Sequence, residues 1–251
     1  MPVDPSDSFT LDSWQVHANV QKGRLTFDHS AGIAGGLSEA KGNIDKGFQG
    51  PVLHAEVAVK DVPAGAICDL VGMKVSLDGK VTMLIKGFDA VLSSGTAGSV
   101  AGEGSVELKE GHYRLPEASV KRLSKAKTMG YIKQKFPEFA DKGILIAKLT
   151  GQWRAKNGIA SVDNGRLVST DLKAGWVGKI DFAKEGLDGF LRFQISEKDP
   201  KKRRLLPAKY LTQPGYGRLQ GTWQEWSLRS VPSGKIPSAI QSKLGKAVNS
   251  K

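Results

Sequence analysis

The sequence predicts a mainly β protein: one long curved antiparallel sheet, forming an open groove or partly closed, with two or three short helices. Between Ser161 and Ile195, three strand-like segments follow one another, each ending at a Gly, Asp or Asn cluster that turns the chain. In the last segment, Leu191, Phe193 and Ile195 alternate with polar side chains. This period of two gives a strand one apolar and one polar face, and similar segments recur over most of the chain.

The first half of the chain contains the same alternation. Strands are predicted at Phe9–His17, Gly23–His29, Leu37–Ile44 and Val52–Lys60, with glycine-containing turns between them. In the fourth strand, Val57 and Val59 share one face. A further strand places Val81, Met83 and Ile85 on one side and lysines among the residues on the other side. The alternation therefore predicts an apolar face in each of these strands.

Other segments interrupt the strands. A short helix is predicted from Pro63, because proline is tolerated in a first helical turn. The segment SVELKEGHYRL is predicted to be a hairpin that turns at residues 109–111, and YGRLQGTWQEWSLRS a single final strand. A helical insertion is predicted at about 117–142, with its clearest helix at Glu117–Gln134 and a break at Pro137, and a terminal amphipathic helix at about 236–248.

Composition is ordinary for a chain with a sizeable core: 251 residues, 39% hydrophobic and 25% charged. No long Pro/Gly/Ser linker separates two halves, so residues 1–251 are interpreted as a single β-rich domain. No apolar run of membrane-spanning length and no signal peptide is visible. The single cysteine, Cys68, excludes an internal disulfide and is interpreted as a small buried residue.

Charge is distributed unevenly. Residues 1–116 contain 10 Lys and Arg against 14 Asp and Glu, whereas residues 117–251 contain 27 against 11, so the two parts have net charges of −4 and +16. Such a basic half predicts an anionic partner, which could be nucleic acid, an acidic lipid surface or an acidic protein. The run Lys201-Lys202-Arg203-Arg204 is a candidate contact for anionic headgroups, or a solvated loop.

No catalytic constellation is visible, so the chain is predicted not to be an enzyme and to need no cofactor or metal. The four histidines, at positions 17, 29, 54 and 112, stand singly and lack the partner spacing typical of metal ligands. The chain has no nucleophile elbow, P-loop or zinc signature. Asp163, Asp171, Asp181 and Asp188 fall at strand ends and are interpreted as turn formers.

The order of these segments resembles the C-terminal part of AsmA-like proteins of Gram-negative envelopes, a group that includes TamB-like bridge-type lipid-transfer proteins. The resemblance covers roughly residues 8–230. It lies in WQVHANVQKGRLTFDHSAGIAGGLSEAKGNI, VAVKDVPAGAICDLVG, SLDGKVTMLIKGFDA, VAGEGSVELKEGHYRL, GILIAKLTGQWRAKNGIASVDNGRLVSTDLKAGWVGKIDF and LQGTWQEW. It implies an elongated curved sheet whose concave apolar face holds acyl chains, with no catalytic residues. It also implies a periplasmic portion of a longer protein whose inner-membrane anchor is absent here.

The apolar faces are the candidate lipid groove. The candidates are Val57, Val59, Val81, Met83, Ile85, Trp176, Ile180, Phe182, Leu191, Phe193 and Ile195. Each burial of a methylene group on such a face is worth about 0.8 kcal/mol. Two alternatives remain open at this level: the same residues are ordinary core, or the helix at Glu117–Gln134 fills the space.

Three functions follow from this interpretation. The first is non-enzymatic binding or conduction of phospholipid or lipopolysaccharide acyl chains at a membrane surface, serving outer-membrane lipid homeostasis. The second is a scaffold or assembly factor that pairs an exposed sheet edge with an outer-membrane protein, because unpaired edges are templates for strand addition. The third, nucleic-acid binding, is not expected, since no RNP-type aromatic pattern accompanies the basic run.

Overall fold

A computed structural model of the protein describes residues 11–70, 76–93, 96–114, 144–169, 172–195, 213–222 and 226–249. Within these ranges, twelve strands form one antiparallel sheet in which each strand pairs with its neighbours in sequence. The strands are β1 Leu11–Gln21, β2 Arg24–Ile33, β3 Gly36–Gly47, β4 Gly50–Pro63, β5 Ser76–Val91, β6 Ala101–Arg114, β7 Ile144–Lys156, β8 Ile159–Val168, β9 Leu172–Asp181, β10 Gly186–Ile195, β11 Gly215–Thr222 and β12 Trp226–Ser230. The sheet is open, and the fold class predicted from the alternation is confirmed.

Three short α-helices accompany the sheet in the described ranges: α1 Ala64–Leu70, α2 Thr96–Ser99 and α3 Ser238–Asn249. Pro63 immediately precedes α1 and Pro237 immediately precedes α3, so both predicted helices begin at their prolines. A 3-10 helix, Ser233–Lys235, leads into α3. The predicted insertion at 117–142 and the run at 201–204 lie outside the described residues.

Two predictions about local structure are wrong. The segment around residues 109–111 is not a hairpin turn: β6 continues through it as one strand, with a register shift against β5 and a positive φ of 51° at Glu110. Strand β6 accommodates the extra residue as a β-bulge. A Lys-Glu-Gly sequence is compatible with a hairpin turn or with a bulge, because both can need a residue in the left-handed conformation. The final segment is two strands, β11 and β12, rather than one.

The tight turns follow the sequence signals. Asn157 and Gly158 both have positive φ, 52° and 72°, as expected for the Asn-Gly hairpin turn between β7 and β8. Lys22-Gly23 and Ala34-Gly35 have the same pair of left-handed conformations between the first three strands. These short connections align consecutive strands as a simple meander, and the register then decides which side chains share a face.

Candidate functional site

The register places the predicted apolar residues of β4 and β5 on one face of the sheet. Val57 is opposite Ile85, and Val59 is opposite Met83. Directly opposite residues of antiparallel strands point to the same side, so these pairs define one surface. We call this side the apolar face and the other side the polar face.

The candidates of β9 and β10 lie on the same apolar face. A single row of opposite residues connects the two groups across five strand spacings, which is about 24 Å. It runs from Val81 to Leu108, Leu149, Leu167, Ala174 and Phe193. By the same pairing, Trp176 lies opposite Leu191, Ile180 opposite Leu187, and Ile195 opposite Leu172. Two groups that were predicted separately therefore belong to one continuous surface.

Phe182 differs from the other ten candidates. The sequence placed it in line with Trp176 and Ile180, but β9 ends at Asp181 and Phe182 begins the turn to β10. Its backbone N–H donates a hydrogen bond of 2.9 Å to the carbonyl oxygen of Gly158 in the neighbouring turn. Phe182 therefore lies at the end of the sheet rather than on a strand.

Burial on the apolar face is uneven. Val59 and Val81 are buried, while the other candidates are half-buried. Val81 belongs to a small core with Ala64 of α1, Leu108 and Ile146. Helix α1 therefore covers only one end of this face, and much of the rest is half-buried in the described structure.

Aromatic rings on the apolar face lie over glycines of neighbouring strands. Phe193 is directly opposite Gly215, and Trp153 is opposite Gly104. A Cβ added at Gly104 would approach Cζ2 of the Trp153 ring to 2.7 Å, and one added at Gly165 of β8 would approach Cε3 of Trp176 to 3.2 Å. These glycines leave room for the rings to lie across the sheet. The sequence signal was the glycine inside each strand, which can mark such a close approach.

The indole N–H of Trp176 is a polar group on this surface. Its Nε1 atom is buried and has no hydrogen-bond partner among the described residues. This atom lies against Gly178 and Gly189 of the sheet, where a buried donor without an acceptor costs free energy.

The apolar face continues to the edge strand β1. Trp14, Val16 and Val20 lie opposite Ala31, His29 and Leu25 of β2. They are open to solvent, with 65% of Trp14 and 67% of Val20 exposed. The Trp14 indole N–H donates a 3.0 Å hydrogen bond to Nδ1 of His29. This edge carries the most exposed part of the apolar face.

The polar face is organised by ion pairs. Glu107 contacts Lys148 at 2.7 Å and Lys109 at 2.8 Å, and Lys41 contacts Glu56 at 3.0 Å. Hydrogen bonds from Lys109 and then Lys148 lower the pKa of the Glu107 carboxyl, and the same contact raises the pKa of Lys109. Opposite charges across neighbouring strands keep this face hydrated and fix the register.

A polar cluster on the same face escaped the sequence interpretation. His54, judged to stand alone, lies between two carboxylates: Nδ1 is 2.6 Å from Asp89 and Nε2 is 3.8 Å from Asp45. Asp45 also contacts Arg24 at 3.1 Å and accepts a 2.7 Å hydrogen bond from Asn43. The cluster connects β2 to β5. Only the strand register brings these residues together, so spacing in the sequence contained no signal for them.

The described residues contain no group of three or more His, Cys, Asp and Glu side chains arranged to hold a metal ion. The polar face also has a shallow depression of about 400 Å³. It is lined by Thr82, Leu84, Ser105, Val106, Glu107, Lys109, Thr150, Gly151, Gln152 and Asn164. Asn164 and Gln152 hydrogen-bond to each other there at 2.9 Å.

Cys68 is buried as predicted. Its burial, and to a smaller extent the charge of Asp69, raise the pKa of its thiol.

Helix α3 packs on the polar face, over β8, β9 and β10. Its buried residues Leu244, Ala247 and Val248 meet the sheet at Gly175, where an added Cβ would lie 3.0 Å from both the Ala247 Cβ and the Leu244 oxygen. Lys243 reaches Asp163 of β8 at 2.7 Å. Among the described residues, α3 therefore covers the polar face of these strands and not their apolar face.

Comparisons with known proteins add no assignment. No family model, curated protein or solved structure matches the chain. Among the described residues, no helix is long and apolar enough to cross a membrane.

Proposed function

We propose that the apolar face binds acyl chains of phospholipid or lipopolysaccharide, without catalysis. The observation that carries the proposal is the unbroken row from Val81 to Phe193, which joins six strands into one apolar surface. Within this row, Leu149, Leu167 and Phe193 are half-buried, whereas Val81, Leu108 and Ala174 are buried. Helix α3 covers the other side of the sheet. An acyl chain laid across this row would bury methylene groups at about 0.8 kcal/mol each.

The chemistry of the two faces favours a lipid over a soluble polar ligand. On the polar face, charged side chains pair with one another, as Lys41 does with Glu56. The apolar face instead presents aliphatic side chains and aromatic rings that lie over glycines. The resemblance to AsmA-like proteins, which rests on the order of strands and turns, supports a periplasmic location and a role in outer-membrane lipid homeostasis.

Photocrosslinking at two adjacent residues tests this function. Ile85 lies on the apolar face and Leu84 on the polar face of β5, so they differ in orientation but hardly in position. Benzoylphenylalanine at position 85 is expected to form lipid adducts in bacterial cells, and the same residue at position 84 to form far fewer. Adducts are identified by mass spectrometry after lipid extraction.

Equal labelling at positions 84 and 85, or no lipid adduct at either, contradicts the proposal. Native mass spectrometry of the unmodified protein provides an independent measurement. A protein that remains lipid-free after repeated expression in bacteria contradicts it as well.

A second candidate function is pairing with a strand of an outer-membrane protein through β1. This edge strand is 11 residues long, exposed throughout, and has β2 as its only partner among the described strands. It contains no lysine or proline, two features that commonly protect an edge from strand addition. A protein adduct at a photocrosslinker placed at Val20, without lipid adducts at Ile85, would favour this function over lipid binding.

A further inference from the structure

Alternate connections of the meander gather at one end of the sheet. Because consecutive strands run antiparallel, the turns after β1, β3, β5, β7 and β9 share that end. We call this set the hairpin rim. It comprises Lys22–Gly23, Phe48–Gln49, the described residues of 92–100, Asn157–Gly158 and Phe182–Glu185.

Backbone hydrogen bonds join most of the hairpin rim into one unit. The Leu92 N–H donates to the Pro51 oxygen at 2.7 Å, and the Gly158 N–H donates to the Val100 oxygen at 2.9 Å. The Phe182 N–H then donates to Gly158 at 2.9 Å. Neighbouring connections between β4 and β10 therefore hold one another in place, which isolated hairpin tips would not do.

The hairpin rim displays apolar side chains to solvent. Phe48, at the tip of the β3–β4 turn, is fully exposed at 106%, and Leu92 and Ile159 are about 40% exposed (39% and 41%). A fully exposed phenylalanine on a turn contributes nothing to the described core. Aromatic residues are enriched where proteins meet the bilayer interface.

Lysines without an ion-pair partner lie in or next to three turns of the hairpin rim. Lys22, Lys46 and Lys156 are exposed, and no carboxylate among the described residues lies within ion-pair distance of their ammonium groups. Lys184, by contrast, contacts Asp181 at 3.6 Å. An exposed phenylalanine beside unpaired lysines matches a surface that is apolar inside and negatively charged outside, which is the chemistry of an anionic bilayer.

We propose that the hairpin rim docks on an anionic phospholipid bilayer, with Phe48 entering the acyl boundary and the lysines contacting the headgroups. The proposal rests on the lipid-binding function for its purpose, since the apolar face extends to this rim. Ile44 and Leu53, opposite each other on that face, lie near the β3–β4 turn, so a chain that leaves the bilayer meets the face directly. Residues 201–204 lie outside the described residues and are not among those that define the hairpin rim.

Vesicle flotation tests the docking. The probes are vesicles of phosphatidylcholine alone and vesicles with 30% phosphatidylglycerol, a composition of about 70:30 that resembles an anionic leaflet. Wild type is expected to float with the anionic vesicles and to be released by high salt. Phe48→Ser is expected to weaken binding about tenfold, from the lost burial of one phenylalanine. Serine at Lys22, Lys46 and Lys156 together is expected to weaken it about 100-fold.

Matched variants at the other end of the sheet control for general effects. Leu145→Ser removes an exposed leucine from the polar face, at 55% exposure. Serine at Lys60, Lys80 and Lys173 removes the same charge as the rim triple variant. Both are expected to float like wild type. Serine at all four positions 201–204 measures the competing contribution of the basic run.

The docking is overturned if wild type does not float, if the Leu145 or the Lys60 set loses as much binding as its rim counterpart, or if only the 201–204 variant loses binding. Failure of the docking and failure of lipid binding are distinguishable. If lipid adducts form at Ile85 but Phe48→Ser floats like wild type, only the docking of the hairpin rim is overturned. If flotation depends on Phe48 but no lipid adduct forms at Ile85, the docking is supported and the lipid-binding function is overturned.

Discussion

The two halves of the sheet differ in how their polar and apolar faces are covered. In β1–β6, the polar face is lined by charged pairs, and among the described residues α1 covers one end of the apolar face. In β7–β12, the polar face is itself partly apolar and is covered by α3. The difference originates in β9, where Gly175 and Val177 replace the expected polar residues beneath the helix. Helix α3 therefore packs on the polar face at the place where non-polar residues interrupt the alternation.

Charge separates the same two regions. Described residues 11–114 contain nine Lys and Arg against twelve Asp and Glu, a net of −3, whereas those of 144–249 contain thirteen against four, a net of +9. The polarity predicted from the whole chain therefore persists among the described residues. Ion pairs neutralise much of the first half, and the second half keeps an excess of positive charge for an anionic surface.

The largest effect is expected from removing the anchor of α3. Leu244→Ala should destabilise the protein by about 2–5 kcal/mol, because the side chain is 0% exposed and its removal leaves a cavity between helix and sheet. Urea unfolding measures the change. Ile240→Ala is the control and should cost clearly less, because Ile240, in the first turn of the same helix, is only half-buried. Equal costs would show that α3 does not depend on its contact with β9.

A smaller effect is expected at the contact point on the sheet. Gly175→Ala should destabilise by about 1–3 kcal/mol, since the new Cβ must displace the Ala247 side chain or the Leu244 carbonyl, both 3.0 Å away. Gly151→Ala is the matched control, because its nearest neighbour would be 3.7 Å away. Thermal unfolding of both variants checks the difference. If both behave alike, close approach is not what places glycine at position 175.

The smallest effect concerns the polar face and pH. The lysine contacts lower the folded-state pKa of Glu107, so its contribution to stability is present above the unfolded pKa of about 4.5 and is lost as pH falls through the lower folded value. Glu107→Gln should reduce stability at pH 7 by about 0.5 kcal/mol, in the range of exposed ion pairs, and have less effect at pH 3. Urea unfolding at both pH values, with the exposed Glu39→Gln as control, measures it. A loss that does not depend on pH would contradict the assignment to this ion pair.

Several features of the fold could be predicted from local pattern. Alternation in residues such as Leu191, Phe193 and Ile195 predicted strands that the structure contains. Pro63 and Pro237 marked the helix starts. Strand ends were less accurate: β1 runs to Gln21, four residues beyond the predicted end at His17. Ends depend on where the partner strand stops pairing, which is not a local property.

The candidate site could be predicted only in pieces. The sequence identified Val81, Met83 and Ile85 as one set and Leu191, Phe193 and Ile195 as another, but had no means to decide whether the sets share a face. The bulge at residues 109–111 shows why: one extra residue in a strand reverses the parity of everything after it. Alternation with a period of two does not reveal such shifts, so the face on which each set lies is known only once the strand is paired with its neighbours.

By itself, the sequence determined that the chain forms two-faced strands, which side chains alternate within each strand, and that its second half is basic. These are properties of neighbouring residues and of composition. Tertiary structure alone decided that two distant apolar sets form one surface, that His54 meets Asp45 and Asp89, and that α3 covers the polar rather than the apolar face. The reason is physical: register and helix docking are fixed by contacts between residues far apart in the chain, and each contact depends on the shape of its partner.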